Sequence, residues 1–225
     1  ATIAGSVMAG YVRMGVDAGH LLTASVMAAP AGLVIAKMLN PETEVPETRG
    51  RIEVEVGREH VNFIDAIARG TSDGLRLALN VGAMLIAFVA LIALANGILG
   101  IVGITLQQIL GGLFAPVAFM LGVPWNDVLT VGSLLGQKVV LNEFVAYSSL
   151  MQLMESPDAL DPRSVVIVTY ALAGFANLGS IGIMIGGIGG IAPDRRNDLA
   201  RLGLRSLLGG TMATFMTASI AGMLL

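Results

Sequence analysis

The sequence predicts an all-α integral membrane protein whose transmembrane helices are interrupted by a re-entrant helical hairpin and a broken helix. Composition is the first reason. Apolar residues fill 55% of the 225 positions and charged residues only 13%, with a mean hydropathy of +0.79, whereas a soluble domain carries about 25% charged residues. Charge distribution is the second: no charge occurs between Arg76 and Asp127, or between Glu143 and Glu155. The third is a charged island between those stretches, Gly136-Gln-Lys-Val-Val-Leu-Asn-Glu-Phe-Val-Ala146, which holds Lys138 and Glu143. An ionisable group at membrane depth costs roughly 2.5–3.5 kcal/mol on insertion scales. A chain that keeps two such groups there is expected to use them on a solute or ion pathway.

Composition also excludes several function classes. The chain has no cysteine, so disulfides, thiolate metal sites and cysteine catalysis are ruled out. Its two histidines, His20 and His60, lack ligand-like spacing, and no basic patch suggests nucleic acid. The Gly186-Gly-Ile-Gly-Gly190 run has no Lys-Ser/Thr after it and is not a phosphate loop. No nucleophile–base pair is evident, so an enzyme is not expected. The 29 glycines suit close packing of membrane helices.

In chain order, residues 1–39 read as the end of one broken span and a second span. The opening Ala1-Thr-Ile-Ala-Gly-Ser-Val-Met-Ala-Gly10 has no positively charged n-region, so it is not a signal peptide. It resembles the interior of a membrane helix, and the chain is expected to lack an N-terminal part. The uncharged run Ala18–Ala36 closes at Lys37 and Asn40-Pro41, and Pro30 implies a kink or local break. Residues 40–76 read as a cytoplasmic loop and an amphipathic interfacial helix. The loop covers residues 40–59, with a short extended piece at Glu53–Val56. In residues 60–76, Asp65/Arg69, Arg69/Asp73 and Asp73/Arg76 can pair opposite an apolar face. Residues 77–122 read as a transmembrane helix to about Gly100, then a shallow interfacial helix over 104–122 interrupted by Gly111-Gly112, Pro116 and Gly122.

Residues 123–156 contain the island. Val128–Leu135 and Phe144–Met154 flank Gly136–Asn142, and neither is as long as the roughly 20 residues a span needs. A hairpin that enters and leaves on one side fits these lengths. In residues 157–225 the uncharged run Ser164–Pro193 is interrupted near Phe175-Ala-Asn-Leu-Gly-Ser180, where a helix is expected to unwind. An Arg-rich stretch at 194–205 precedes a last span, Ser206–Leu225.

Orientation follows from parity. Lys37 to Arg76 holds six Lys/Arg and residues 194–205 hold four Arg, which places both in the cytoplasm. The hairpin then makes no net crossing, and the C-terminus lies outside. A weak internal echo points to inverted repeats. Ala1-Thr-Ile-Ala-Gly-Ser6 is similar in pattern to Ala176-Asn-Leu-Gly-Ser180, and Leu22-Thr-Ala-Ser-Val26 to Met216-Thr-Ala-Ser-Ile220.

Among candidate site residues, the Glu143 carboxylate can accept two hydroxyls of a sugar or hold a cation; its alternatives are a structural pair with Lys138 and a charge at a water-exposed hairpin tip. Asn142 and Gln137 are amides that either orient a solute or cap hairpin helices. Lys138 suits turn carbonyls or an acid partner. Asn177 and Ser180, three apart, share a helix face and suit either one ligand edge or interhelical contacts. Phe175 suits a flat ring or plain packing. Thr2 and the Ile3 carbonyl suit a small cation if their helix is unwound; otherwise the Thr2 hydroxyl bonds to its own helix.

The run from Gly136 to Tyr147 resembles the signature G-x-K-x-x-x-N-E-F-V-A of the concentrative nucleoside transporters. The opening ATIAGSVMAGY, the stretch at 28–44, and Gly174-Phe-Ala-Asn-Leu-Gly-Ser180 extend that resemblance over the chain as the family's C-terminal half. The resemblance implies an inverted-repeat transporter of elevator type. It implies a homotrimer in the plasma membrane (the inner membrane of a bacterium), in contact with lipid, that symports nucleosides inward with Na⁺ or H⁺. It implies no organic cofactor. Glu143, Asn177 and Ser180 would bind ribose, with Phe175 and Val7 bordering the base. Thr2 and Ile3 would hold the cation, Na⁺ favoured by the Thr2 hydroxyl, and Lys138 and Asn142 would support the hairpin. Residues 77–100 would match the scaffold helix near the trimer axis. The family's first hairpin, with its Gln-Thr-Glu motif, is absent, so this chain alone is not expected to transport. A carrier of another small polar solute and a nucleoside-binding membrane sensor are the alternatives.

Overall fold

The structure is a computed structural model that describes residues 2–43, 45, 62–156 and 159–225. The described residues form helices and connecting turns, without strands. The chain divides into two units, Ala1–Pro41 with Leu99–Leu225, and Glu42–Ile98.

The first unit begins with an extended Thr2–Ala4 segment that leads into α1, Gly5–Arg13. Asp17 then caps α2, Ala18–Leu39, accepting from the His20 amide at 2.8 Å. With 22 residues, α2 is long and apolar enough to cross a bilayer. It runs through Pro30 without a break. The ring removes one amide donor, and the flanking turns outweigh that single loss.

Thr105 and Gln108 form a capping box that starts α4, Leu106–Met120. The helix continues through Gly111-Gly112 and Pro116, where the sequence suggests interruption. It ends before Gly122, whose φ of 87° turns the chain. Gly111 serves packing rather than breaking. A Cβ on Gly111 would meet the Leu129 carbonyl oxygen at 2.8 Å, and one on Gly132 would meet the Gly111 carbonyl oxygen at 2.6 Å. Backbone therefore lies on backbone between α4 and α5, Val128–Val140.

Helix α5 also runs past Gly136, so only Leu141 and Asn142 separate it from α6, Glu143–Met154. The predicted seven-residue turn is thus shorter. Gly136 is closely packed, since a Cβ there would approach the Leu110 Cβ to 2.6 Å. The hairpin closes on itself through Ser149 Oγ, which donates to Gln137 Oε1 at 2.8 Å, while Gln137 Nε2 donates to Ser133 Oγ at 3.2 Å.

Asp161 caps α7, Pro162–Leu172, and proline at the first position suits a helix start. The helix stops at an inverse γ-turn on Ala173 (φ −70°, ψ 65°), where the Gly174 amide donates to the Leu172 carbonyl at 2.7 Å. After a non-helical stretch at 173–177 the chain resumes as α8, Leu178–Ile191. The last helix, α9, is continuous over Arg196–Met223. It starts ten residues before the span predicted from Ser206. Arginine and leucine are good helix formers, and Asp198 pairs with Arg195 and Arg201 along the exposed first turns. One buried cluster joins α1, α2, α5, α6, α7 and α9 through Tyr11, Leu21, Leu134, Tyr147, Ile167 and Ala218.

The two echoed patterns fall on matching features. Thr2–Ala4 and Asn177 are extended backbone leading into α1 and α8, and the second pair lies inside α2 and α9. Helices α2 and α9 pack together.

The second unit contains all but the last residue of α3, Phe63–Leu99, a single helix of 37 residues. The predicted division at 76/77 into an interfacial helix and a span is not a break. At a rise of 1.5 Å per residue the helix is roughly 55 Å long, well beyond a hydrocarbon core of roughly 30 Å. Polarity changes along it, but Gly70 and Gly74 cost only about 1 kcal/mol each and do not stop a helix of this length. The Asn62 side chain accepts from the Asp65 amide, and Arg69 pairs with Asp65 at 3.2 Å. The extended piece expected at Glu53–Val56 lies outside the described residues, as do the side chains of Asp73 and Arg76.

Candidate functional site

Two chain breaks define the site: the hairpin turn at Leu141-Asn142, and residues 173–177 between α7 and α8. Each break ends in an asparagine that caps the next helix. Asn142 Oδ1 accepts from the Val145 amide at 2.9 Å, and Asn177 Oδ1 from the Ser180 amide at 2.8 Å. Side-chain oxygens of Asn are among the best N-caps because they satisfy amides that the first turn leaves unbonded. Asn142 therefore takes its capping role.

Glu143 is the first residue of α6 and is 1% exposed. Both carboxylate oxygens are held. Tyr11 Oη, from α1, donates to Oε1 at 3.1 Å, and Asn177 Nδ2 donates to Oε2 at 2.8 Å. The carboxylate thus lies at the N-terminus of α6 and on the cap of α8. The partial positive charge at both helix starts offsets part of the cost of burying it. A carboxylate has about four lone-pair directions, so the two side-chain donors do not exhaust its capacity to accept.

Ser180 is half-buried and engaged with the same cap. Its Oγ donates to the Asn177 carbonyl at 2.6 Å and accepts from the Asn177 amide at 3.2 Å. Glu143, Asn177 and Ser180, 37 residues apart at the extremes, are thereby brought into one hydrogen-bonded row. Lys138 makes its hydrogen bonds elsewhere, to the Ala171 carbonyl at 2.6 Å and Thr214 Oγ1 at 2.7 Å. Gln137 is used inside the hairpin, as described above.

The other predicted residues are placed less tightly. Phe175 lies in the α7–α8 break and is 40% exposed. Val7 is half-buried on α1, packed against the core and one helical turn before Tyr11. Thr2 is exposed and Ile3 half-buried ahead of α1. The first helical bond of α1 runs from the Met8 amide to the Ala4 carbonyl, so the Ile3 carbonyl stands ahead of the helical ladder.

Sequence reasoning missed Tyr11. This residue is fully buried, with its ring 4.8 Å from Phe144 and 4.6 Å from Tyr147 between centroids. Tyr147 Oη in turn donates to the Thr169 carbonyl at 2.8 Å. The available signal was the four-residue spacing from Val7 to Tyr11, which puts both on one face of α1.

Residues 20–222 match the family model described as Na⁺ dependent nucleoside transporter C-terminus. An uncharacterized transporter, YutK, of Bacillus subtilis (strain 168) is 51% identical over 98% of this chain and 56% of its own length. Nucleoside permease NupC of Helicobacter pylori (strain ATCC 700392 / 26695) is 44% identical over 99% of this chain and 55% of its own. The chain spans about half the length of these curated relatives. Among solved structures, CNTnw in an inward-facing substrate-bound state matches with a TM-score of 0.88 at 49% identity, covering 98% of this chain and 54% of that one. A CNTnw variant in an intermediate state gives 0.90 at 49% identity, covering 99% and 56%.

Proposed function

This chain belongs to the Na⁺-dependent nucleoside transporter family, a family of multi-pass membrane carriers and not of enzymes, and from that premise we propose that the protein symports nucleosides into the cell with a coupling cation, Na⁺ favoured. Glu143, Asn177 and Ser180 bind the ribose. Two neighbouring ribose hydroxyls donate to the carboxylate lone pairs that Tyr11 and Asn177 leave open. Phe175 and Val7 border the base. The Thr2 hydroxyl and Ile3 carbonyl ligate the cation at the start of α1, the helix that also delivers Tyr11 to Glu143. Cation binding orders that start, and solute and ion are coupled through a shared helix. The working unit is a homotrimer in the plasma membrane, with the C-terminus of this chain outside.

The observation that supports this reading best is the buried Glu143 carboxylate, held on both oxygens yet with bonding capacity to spare. Hydrogen bonds to a charged group contribute about 1.5–3 kcal/mol each, and exclusion of water strengthens them.

Counterflow with full-length protein in proteoliposomes tests the reading. Uridine loaded inside should drive accumulation of labelled uridine, and excess nucleoside, but not sugar or amino acid, should compete. Binding without exchange would make the protein a sensor instead, and competition by sugars or amino acids would make it a carrier of another solute.

A further inference from the structure

The hairpin grips the broken helix on both sides of its break. Beyond the break, Glu143 holds Asn177 at the start of α8. Before it, Lys138 holds the Ala171 carbonyl in the last turn of α7. In an unbroken helix that carbonyl would accept from the amide four residues on; because α7 stops at Leu172, it is left for another donor. An ammonium suits that place, since the carbonyl end of a helix is its negative end. Lys138 itself stands in the last turn of α5. The two positive helix ends meet the Glu143 anion. Lys138 and Glu143 are five positions apart in the chain, and Ala171 and Asn177 six.

The Lys138 tether has a third anchor. Its Nζ donates to Thr214 Oγ1 on α9 at 2.7 Å, and Thr214 donates onward to the Thr211 carbonyl at 2.9 Å. Lys138 and Thr214 are both fully buried, and the Phe215 ring centroid lies 5.8 Å from Nζ. A buried ammonium without acceptors is strongly unfavourable, so the amine is confined to the geometry these two acceptors define.

We propose that Lys138 is a positioning residue for nucleoside binding: with Thr214, it fixes the end of α7 so that Asn177 reaches the Glu143 carboxylate. The proposal rests on the assignment of Glu143 and Asn177 to the nucleoside site. The hydrogen bond between them is 2.8 Å long, and a shift of the α7 end by 1 Å would take it out of bonding range. A lysine that served only folding would change how much active protein forms. A positioning lysine changes affinity.

Thr214 provides the sharper test, because its variants leave the Lys138 charge in place. Uridine uptake by full-length protein in proteoliposomes, normalised to the amount reconstituted, should show KM raised about tenfold for Thr214→Val, with Vmax within about twofold. Thr214→Ser restores the acceptor and should restore KM. Lys138→Met should raise KM more than Thr214→Val. Should Lys138→Met fail to accumulate, the Thr214 pair decides alone. Glu143→Gln is measured alongside. If Glu143→Gln abolishes binding while Thr214→Val leaves KM unchanged, the Lys138 assignment is overturned and the nucleoside site stands. If Glu143→Gln binds uridine normally, the site itself is misassigned and Lys138 has nothing to position.

Discussion

Asn177 Nδ2 donates to Glu143 Oε2 at 2.8 Å, joining the tip of the hairpin to the start of α8 across 34 residues of chain. The same amide group uses its oxygen to cap α8. One side chain therefore fixes both the helix start and the carboxylate, and the two roles can be separated by substitution.

Asn177→Asp keeps a good N-cap but replaces the donor to Glu143 with a second carboxylate. Like charges in a buried site repel strongly. Nucleoside affinity is expected to fall by at least about tenfold, while Asn177→Ala also loses the cap and about 1 kcal/mol of stability. Equilibrium uridine binding with thermal unfolding in detergent separates the two effects. Equal affinity for Asn177→Asp and the native protein would remove Asn177 from the site.

Tyr11→Phe keeps the ring contacts with Phe144 and Tyr147 but removes the donor to Glu143 Oε1. Leaving one face of a buried carboxylate unbonded costs about 1–3 kcal/mol. Uridine KM should rise about fivefold or more. An unchanged KM would show that Tyr11 only fills space.

If two ribose hydroxyls meet the Glu143 carboxylate, a ligand lacking both leaves a buried charge short of donors. Sites built around hydroxyls reject analogues lacking them far more strongly than apolar pockets reject a missing methylene. 2′,3′-Dideoxyuridine is expected to compete for uridine uptake at least about a hundredfold more weakly than uridine. Comparable competition would place the base, not the ribose, at Glu143.

The α4–α5 contact makes a stability prediction that is independent of transport. A Cβ on Gly132 would lie 2.6 Å from the Gly111 carbonyl oxygen and 2.9 Å from the Ala115 amide nitrogen, both backbone atoms that cannot rotate aside. Gly132→Ala should cost about 1–3 kcal/mol and lower Tm. Gly112 has nothing within 4 Å of a Cβ, and Gly112→Ala should leave Tm unchanged or raise it, since alanine favours a helix by about 0.5–1 kcal/mol. Equal Tm changes in the two would contradict the close α4–α5 approach.

Which features were legible in the sequence depended on whether the cause was local. The two breaks were visible because each carries its own signal: an asparagine beside a change of polarity at 142, and an Asn-Leu-Gly-Ser interruption at 177. The bounds of α3 and α9 differ from those the sequence suggests because polarity changes along both helices while backbone propensity does not. Polarity reports the surroundings of a helix, and only backbone propensity and capping report where it ends. Glycine was ambiguous for the same reason: Gly122 turns the chain, whereas Gly111, Gly132 and Gly136 sit inside helices and allow close approach. The partners of Lys138 could not be read at all. Ala171 offers only a backbone carbonyl, and Thr214 lies 76 residues away, so neither leaves a mark beside the lysine.

The Glu143 carboxylate is the centre of the proposed nucleoside site, and Glu143→Gln in the full-length protein removes its charge with almost no change of shape. Glutamine keeps an acceptor for one of the two donors, Tyr11 or Asn177, turns an NH₂ toward the other, and loses the charge that accepts further hydroxyls. Saturable uridine uptake should be abolished while the amount of protein at the cell surface stays the same. Uptake by Glu143→Gln with native KM and Vmax would contradict the assignment of the buried carboxylate to the nucleoside site.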